Sequence, residues 1–141
     1  MAWKVEKVDV WVAEIQDRIG GLAQALGPFG AAGVSLECVL ARRQPEKPKT
    51  GLVFVAPVLG ARAEEAAKRG GFEPSATVPS LRIEGPDRAG AGHAIAEAIA
   101  ETGVSVRGLS SMALGGKFVC YVGFHSPEDL RKSEKAIRAI A

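Results

Sequence analysis

The feature that most constrains how this chain can fold is a duplication. Asp17-Arg18-Ile19-Gly20 is matched by Asp87-Arg88-Ala89-Gly90, and Gly33-Val34-Ser35 by Gly103-Val104-Ser105. The offset is 70 residues at each place (17 to 87, 20 to 90, 33 to 103). A single short motif carries little weight. Two sets at one spacing imply a structural unit written twice. With 141 residues the chain has room for one ordinary domain or two very small ones, so the two repeats take up nearly all of it.

The second repeat is the easier to parse. Leu81 and Ile83 alternate with Arg82 and Glu84, the period of a strand with one buried face. Gly85-Pro86-Asp87 is expected to break that strand, since proline has no N–H to give a ladder, and Asp87 is placed to cap the next helix. Ala94, Ile95, Ala98 and Ile99 form an apolar helical stripe, Gly103 stops it, and Val104-Ser105-Val106 opens a strand. Ala113-Leu114-Gly115-Gly116 predicts a tight hairpin into Phe118-Val119-Cys120-Tyr121. Ser126 is an N-cap with Pro127 at the first helical position, leading into a last helix over residues 130–141.

The first repeat follows the same plan. Val8, Val10 and Val12 alternate with Asp9, Trp11 and Ala13, which predicts one long strand over about residues 4–14 with Trp11 on a face free to meet another subunit. Leu22, Ala25, Leu26 and Phe29 stand at helical spacing, with Gly27-Pro28 expected to shorten or kink the helix. Strands are then expected at 34–41, 51–56 and 72–78, with a helix at 61–69 stopped by Gly70-Gly71. Leu52-Val53-Phe54-Val55 precedes Phe118-Val119-Cys120-Tyr121 by 66 residues, which implies four extra residues in the first repeat's strand–strand loop. The second repeat has no counterpart of 72–78, so the edge beside Leu81 and Ile83 is left open. The surplus of the long first strand, or a second subunit, is expected to cover it, with Trp3 and Trp11 as anchors of a homodimer. The expected division is 1–78 and 79–141, giving an α+β protein of two βαββαβ repeats.

Composition narrows function mainly by exclusion. The formal net charge is +2 with both signs interspersed, so there is no electrostatic case for nucleic acid or an anionic membrane. The basic run at 42–49 is broken by Pro45, Glu46 and Pro48 and reads as a solvated loop. Cys38 and Cys120 lie in apolar runs without metal or redox spacing, as buried reduced thiols would. No signal peptide and no apolar run long enough to span a bilayer is present, so a cytoplasmic location is expected. His93 and His125 have no partners at ligand spacing, and no Ser or Cys stands with a base and an orienter, so neither metal, cofactor nor nucleophilic catalysis is expected. Gly90-Ala91-Gly92 is not read as a dinucleotide turn, because a long enough parallel βαβ and its acidic partner are lacking.

What remains is the pair of Gly-rich turns at helix N-termini, where free N–H groups suit a small anion such as a carboxylate. Asp17 and Asp87 fit either a ligand ammonium or a helix cap, Arg18 and Arg88 a carboxylate clamp or a solvated turn, and Ser35 and Ser105 a ligand contact or a satisfied strand edge.

The duplicated Asp-Arg-x-Gly and Gly-Val-Ser set resembles the ACT domain family, small βαββαβ modules attached to amino-acid-metabolism enzymes and regulators. The likeness spans nearly the whole chain and is strongest to stand-alone tandem ACT proteins. It implies antiparallel four-stranded ferredoxin-like sheets with helices on one face, and an amino-acid effector held between paired repeats. By position, the ligand contacts implied are Gln16, Asp17, Arg18, Ile19, Gly20 and Gly21 in the first turn, and Pro86, Asp87, Arg88, Ala89, Gly90 and Ala91 in the second. Val34, Ser35, Val104 and Ser105 would complete them. Gly92 departs from the pattern, standing where Leu22 would lock helix to sheet. The resemblance implies a non-catalytic amino-acid sensor acting on a regulated enzyme or regulator. A protein–protein interaction module with empty pockets is the alternative, as is a small ferredoxin-like enzyme that binds phosphate or acyl phosphate.

Overall fold

The computed structural model describes residues 2–75 and 77–141. In chain order these form β1 (Lys4–Val8), β2 (Trp11–Gln16), α1 (Gly21–Ala31), β3 (Cys38–Arg43), β4 (Thr50–Ala56), α2 (Ala61–Arg69) and β5 (Glu73–Pro74). The second half contributes β6 (Ser80–Pro86), α3 (Ala91–Glu101), β7 (Gly108–Leu114), β8 (Lys117–Gly123) and α4 (Pro127–Ile140). Contacts divide the chain into a first-repeat unit, Asp9–Ser75, and a second-repeat unit in which residues 2–8 join residues 77–141.

The first-repeat unit has a four-stranded sheet in the order β3-β4-β2-β5, antiparallel throughout. Alternation decides its buried face: Trp11 and Ala13 of β2 and Val53 and Val55 of β4 all enter one core. Ala25 and Phe29 of α1 and Ala63, Ala66 and Ala67 of α2 close that core from the helix side, with Phe72 against Phe29 at 5.4 Å between ring centroids. Trp11, expected on an outer face, lies in the core of this unit at 5% exposure, so it cannot anchor a subunit contact. Pro28 lies inside α1, which continues to Ala31 and ends in a left-handed Gly33 with Val34 N–H bonded to the Phe29 carbonyl.

The second-repeat unit repeats this architecture with one substitution. Its sheet order is β1-β6-β8-β7, again antiparallel, so β1 occupies the place that β5 takes beside β2. Val5, Leu81, Ile83, Phe118, Cys120 and Val122 present one sheet face to Ile95, Ala98 and Ile99 of α3 and Leu130 and Ile137 of α4. The edge beside β6 is therefore covered from within the chain. On the outer side of β1, Arg138 of α4 donates to the Val5 carbonyl at 2.7 Å. The division at 78/79 is not the one the contacts make, because the first strand works in the second sheet.

Several sequence boundaries move for identifiable reasons. The single strand expected over 4–14 is two strands in different sheets, separated at Asp9 and Val10. Of the strand expected at 72–78, Ala76 lies outside the described residues, and only Glu73–Pro74 pairs with β2. Gly85-Pro86 does not break β6, because Pro86 is its last residue, opposite Lys117, where no further ladder donor is needed. The strands expected from residues 34 and 104 begin instead at Cys38 and Gly108, since the chain needs a few residues to turn back after Gly33 and Gly103. Matching β4 to β8 by register gives an offset of 67 rather than 66 (50 to 117, 56 to 123), while the loop between the hairpin strands, 44–49 against 115–116, is four residues longer in the first repeat as expected. Gly115 and Gly116, at φ 61° and 82°, form the two-residue turn that makes the second hairpin shorter. The helix-locking position is not 22/92, where both residues are exposed, but 21/91, where both are buried.

Val5 is 5% exposed although it comes from a short terminal strand, which makes it the direct probe of this arrangement. Val5→Ala should cost about 2 kcal/mol in chemical unfolding, whereas exposed Lys4→Ala should change stability by less than about 0.5 kcal/mol. A Val5→Ala protein as stable as the parent would show that β1 adds nothing to the second sheet. Burial pushes the Cys120 thiol up to about 11, while half-buried Cys38 is raised by desolvation and by Glu37. Cys38 should therefore be labelled by an alkylating reagent at pH 8 in the native protein, and Cys120 only on unfolding. Equal labelling rates would contradict the buried placement of β8.

Candidate functional site

The turn between β2 and α1 is built by backbone geometry rather than by side-chain caps. Gly20 sits at φ 82°, in the left-handed region that a residue with a Cβ enters only at a cost. Its counterpart Gly90 has φ 88°, so the duplicated Asp-Arg-x-Gly motif encodes one turn made twice. In both turns the amide four residues on folds back, Gln24 to the Gly20 carbonyl and Ala94 to the Gly90 carbonyl, each at 2.9 Å. Neither helix has a side-chain N-cap, so the capping role considered for Asp87 is not taken up. Asp17 instead accepts a hydrogen bond and ion pair from Arg43 Nε at 2.7 Å, and its own amide donates to the Lys49 carbonyl.

That pairing is part of how the β3–β4 loop is held down. Lys47 and Gln44 both donate to the Glu14 carboxylate, at 2.9 Å and 3.0 Å, and Gln44 also donates to Thr50 Oγ1. These donors hold the Glu14 carboxyl below its ordinary value of 4.5, with the Lys47 hydrogen bond the largest cause. The basic run at 42–49 is thus tied to Glu14 at the end of β2 and to Asp17 in the turn. It is not a free cationic patch.

Beside this turn lies a cleft of about 270 Å³. Its walls are the end of β2 (Glu14, Ile15, Gln16), the turn (Arg18), the first turns of α1 (Gly21, Gln24, Ala25) and the end of α2 with its stop (Arg69, Gly70, Gly71). The up-down order of the fold brings the N-terminus of α1 and the C-terminus of α2 to the same end of the unit. Partial positive charge and partial negative charge therefore face the same small space. Two glycines let its walls pack closely against each other. A Cβ on Gly21 would stand 2.6 Å from the Gln16 carbonyl oxygen, and one on Gly70 would run into the Ala25 carbonyl and the Phe72 ring. Arg18 donates to the Gln24 side-chain carbonyl, and Arg69 pairs with Glu65 at 2.8 Å on the helix surface.

The cleft brings together Gln16, Arg18 and Gly21 of the expected contacts. Asp17 and Ile19 belong to the same turn but point elsewhere: Asp17 to Arg43, and Ile19 fully into solvent. Val34 and Ser35 follow the other end of α1, roughly 16 Å away for an 11-residue helix, so a single unit does not bring them to the turn. The same holds for Val104 and Ser105 relative to Pro86, Asp87, Arg88, Ala89, Gly90 and Ala91. The second turn also differs where it matters, because Ala91 puts a buried methyl where Gly21 has none. Glu14, Gln24, Arg69, Gly70 and Gly71 were not singled out from the sequence as contacts. Only Gly70-Gly71 left a signal, as a double glycine after a helix, and it was legible only as a stop. Among the described residues no group of three or more His, Cys, Asp or Glu side chains could hold a metal ion, and no helix is long and apolar enough to cross a membrane.

Neither a protein-family model nor a curated protein sequence matches the chain. Solved structures do. Protein BT0572 from Bacteroides thetaiotaomicron superposes with a TM-score of 0.77 at 14% identity, over 96% of this chain and 90% of that one. The ligand-free regulatory subunit of aspartate kinase from Thermus thermophilus gives 0.60 at 14% identity, over 95% of both chains. The regulatory subunit of aspartate kinase from Thermus flavus gives 0.58 at 13% identity, over 99% of this chain and 96% of that one. At such identities the likeness establishes the fold and nothing finer: this chain has the α+β architecture of two tandem ferredoxin-like, ACT-like repeats that it shares with regulatory subunits of aspartate kinase.

Proposed function

We propose that the protein is a non-catalytic regulatory sensor that binds a free amino acid, and that the working site is the cleft beside the Gln16–Gly21 turn. The observation that carries this reading is the juxtaposition in one 270 Å³ cleft of a helix N-terminus without a side-chain cap, Arg18 and Arg69 with a helix C-terminus and Glu14. A carboxylate is served by the α1 amides and the guanidinium groups, and an ammonium by Glu14. The volume lies at the low end for ligand pockets, about 300 Å³ upward, which favours a small metabolite over a nucleotide. Of the two turns the first is preferred, because the cleft with Arg18 and Arg69 in its walls lies beside it. Occupancy would order the Gln16–Gly21 turn against the end of α2, and a partner enzyme or regulator would read that change.

A thermal-shift screen of the twenty amino acids tests the reading. One of them should stabilise the protein by about 2.7 kcal/mol at a free concentration about a hundred times its Kd. Arg18→Ala should weaken that binding by about 1.5–3 kcal/mol. Gly20→Val should abolish it, at a cost of about 1–2 kcal/mol in stability from its left-handed backbone. Gly90→Val should cost a similar amount of stability and leave the ligand shift intact. No shift with any amino acid at millimolar concentration sinks the sensor reading, and turnover of an acyl phosphate would replace it with the enzymatic one.

The protonation of Glu14 sets the pH dependence. Its carboxyl is held below 4.5, so the charged form that receives the ammonium persists as pH falls through 4.5 and is lost only below that value. Lys47→Ala removes the largest cause of the lowering, and affinity in that variant should begin to fall at a higher pH. Identical pH profiles for the two proteins would take Glu14 out of the site.

A further inference from the structure

Strand β2 runs on to Gln16, but its neighbour β5 is two residues long and pairs only with Trp11 and Val12. The chain enters β5 at Glu73, just after the left-handed Gly71, so β5 covers no more of the edge. Backbone groups along a strand address its two neighbours alternately. The Asp17 N–H reaches Lys49 beside β4, and the Val10 carbonyl reaches Ser75 beside β5. Residues 11, 13 and 15 therefore face β4, while 12, 14 and 16 face the β5 side. Past Val12 that side has no strand. Among the described residues, the Glu14 N–H and C=O and the Gln16 N–H meet no hydrogen-bond partner. They belong to the stretch, Glu14 to Gln16, that walls the cleft. The second repeat closes the same place twice over. At the offset of 70, Glu84 stands for Glu14 and is paired with Lys4 of β1. Gln16 is replaced there by Pro86, which has no N–H to offer.

We propose that the cleft takes an α-amino acid as a single residue added parallel to the open edge of β2, its ammonium donating to the Glu14 carbonyl and its carboxylate accepting from the Gln16 amide. This rests on the amino-acid reading of the cleft and supplies its mode of recognition. A residue placed parallel to β2 and opposite Ile15 gives its N–H to residue 14 and takes a hydrogen bond from residue 16. A free α-amino acid carries that donor and that acceptor on one carbon, as a strand residue does, and both are charged. The parallel direction sends the carboxylate toward the α1 N-terminus and Arg18, and leaves the ammonium at Glu14. The antiparallel direction would turn the carboxylate toward β5 instead. An L residue opposite Ile15 puts its side chain on the Ile15 face, which packs on the first-repeat core and shares the cleft with Ala25. Main-chain pairing supplies the affinity and that face chooses among side chains. An amino acid with its ammonium one carbon further off spans the two backbone groups in the wrong register.

Heteronuclear NMR of the full chain, titrated with L-alanine and with its isomer β-alanine, tests it. L-Alanine should shift the Gln16 amide and the Glu14 carbonyl carbon along one saturable curve and slow hydrogen exchange at Gln16. β-Alanine should bind at least about tenfold more weakly. Gln16→Pro removes the N–H on the side of β2 that β4 does not use, so the strand pairing with β4 is kept. It should bind L-alanine at least about tenfold more weakly than Gln16→Ala does, with unchanged circular dichroism. If Gln16→Pro does not fold, the wild-type titration alone decides. Saturable binding that leaves the Gln16 amide and the Glu14 carbonyl unmoved overturns the strand mode and leaves the sensor reading standing. Equal affinity for the two isomers, or for the two folded variants, overturns it in the same way. If L-alanine does not bind at all, the strand mode fails, and the twenty-amino-acid screen judges the sensor reading separately.

Discussion

Two helices laid on a sheet need about four strands beneath them, and the second half of this chain supplies three. The remainder of the architecture follows from how that deficit is met. β1 pairs with β6 over Lys4–Val8 and contributes Val5 to the core beneath α4. It does so because only one side of β6 is satisfied by β8, and an unpaired ladder in the middle of a packed sheet is costly. The price falls on continuity: the strand that alternation predicts across Asp9 is cut into two, and residues 2–8 leave the unit to which they adjoin in sequence.

The second constraint is the left-handed glycine. Gly20 and Gly90 turn strand into helix, and Gly33 and Gly103 turn helix back toward strand, all four at positive φ. No side chain caps either helix; the first amide of each, Gly21 and Ala91, donates instead to the Arg18 or Arg88 carbonyl of its own turn. The two turns differ at the next residue. Gly21 lets the Gln16 carbonyl approach and Gly70 lets α2 close on α1, while Ala91 fills the matching place. One motif, repeated faithfully, thus yields two turns of unequal chemical use.

Charge organises the same end of the first-repeat unit. Arg43 on Asp17 and Lys47 on Glu14 are exposed pairs, each worth little in stability. Together they tie the hairpin loop to the end of β2 and to the turn that follows it. Arg18, bonded to Gln24, and Arg69, paired with Glu65, stand in the wall of the cleft beside them.

Local chemistry alone determined the periodic elements. The spacing of Ala94, Ile95, Ala98 and Ile99 marks α3, Ser126 with Pro127 marks the start of α4 and caps Asp129 N–H at 3.1 Å, and Gly115-Gly116 marks the hairpin. The α+β class and the tandem ACT-like plan were legible for the same reason, because glycine at a left-handed position leaves a trace at fixed spacing. What only the tertiary structure decided was which strand pairs with which. Nothing within residues 4–14 says that the strand divides, since alternation reports one buried face and not whose core receives it. The face of Trp11 was undetermined on the same ground. The cleft, too, needed the fold, because Arg69 and Gly70 are some fifty residues from Arg18 and meet it only when α2 returns along α1.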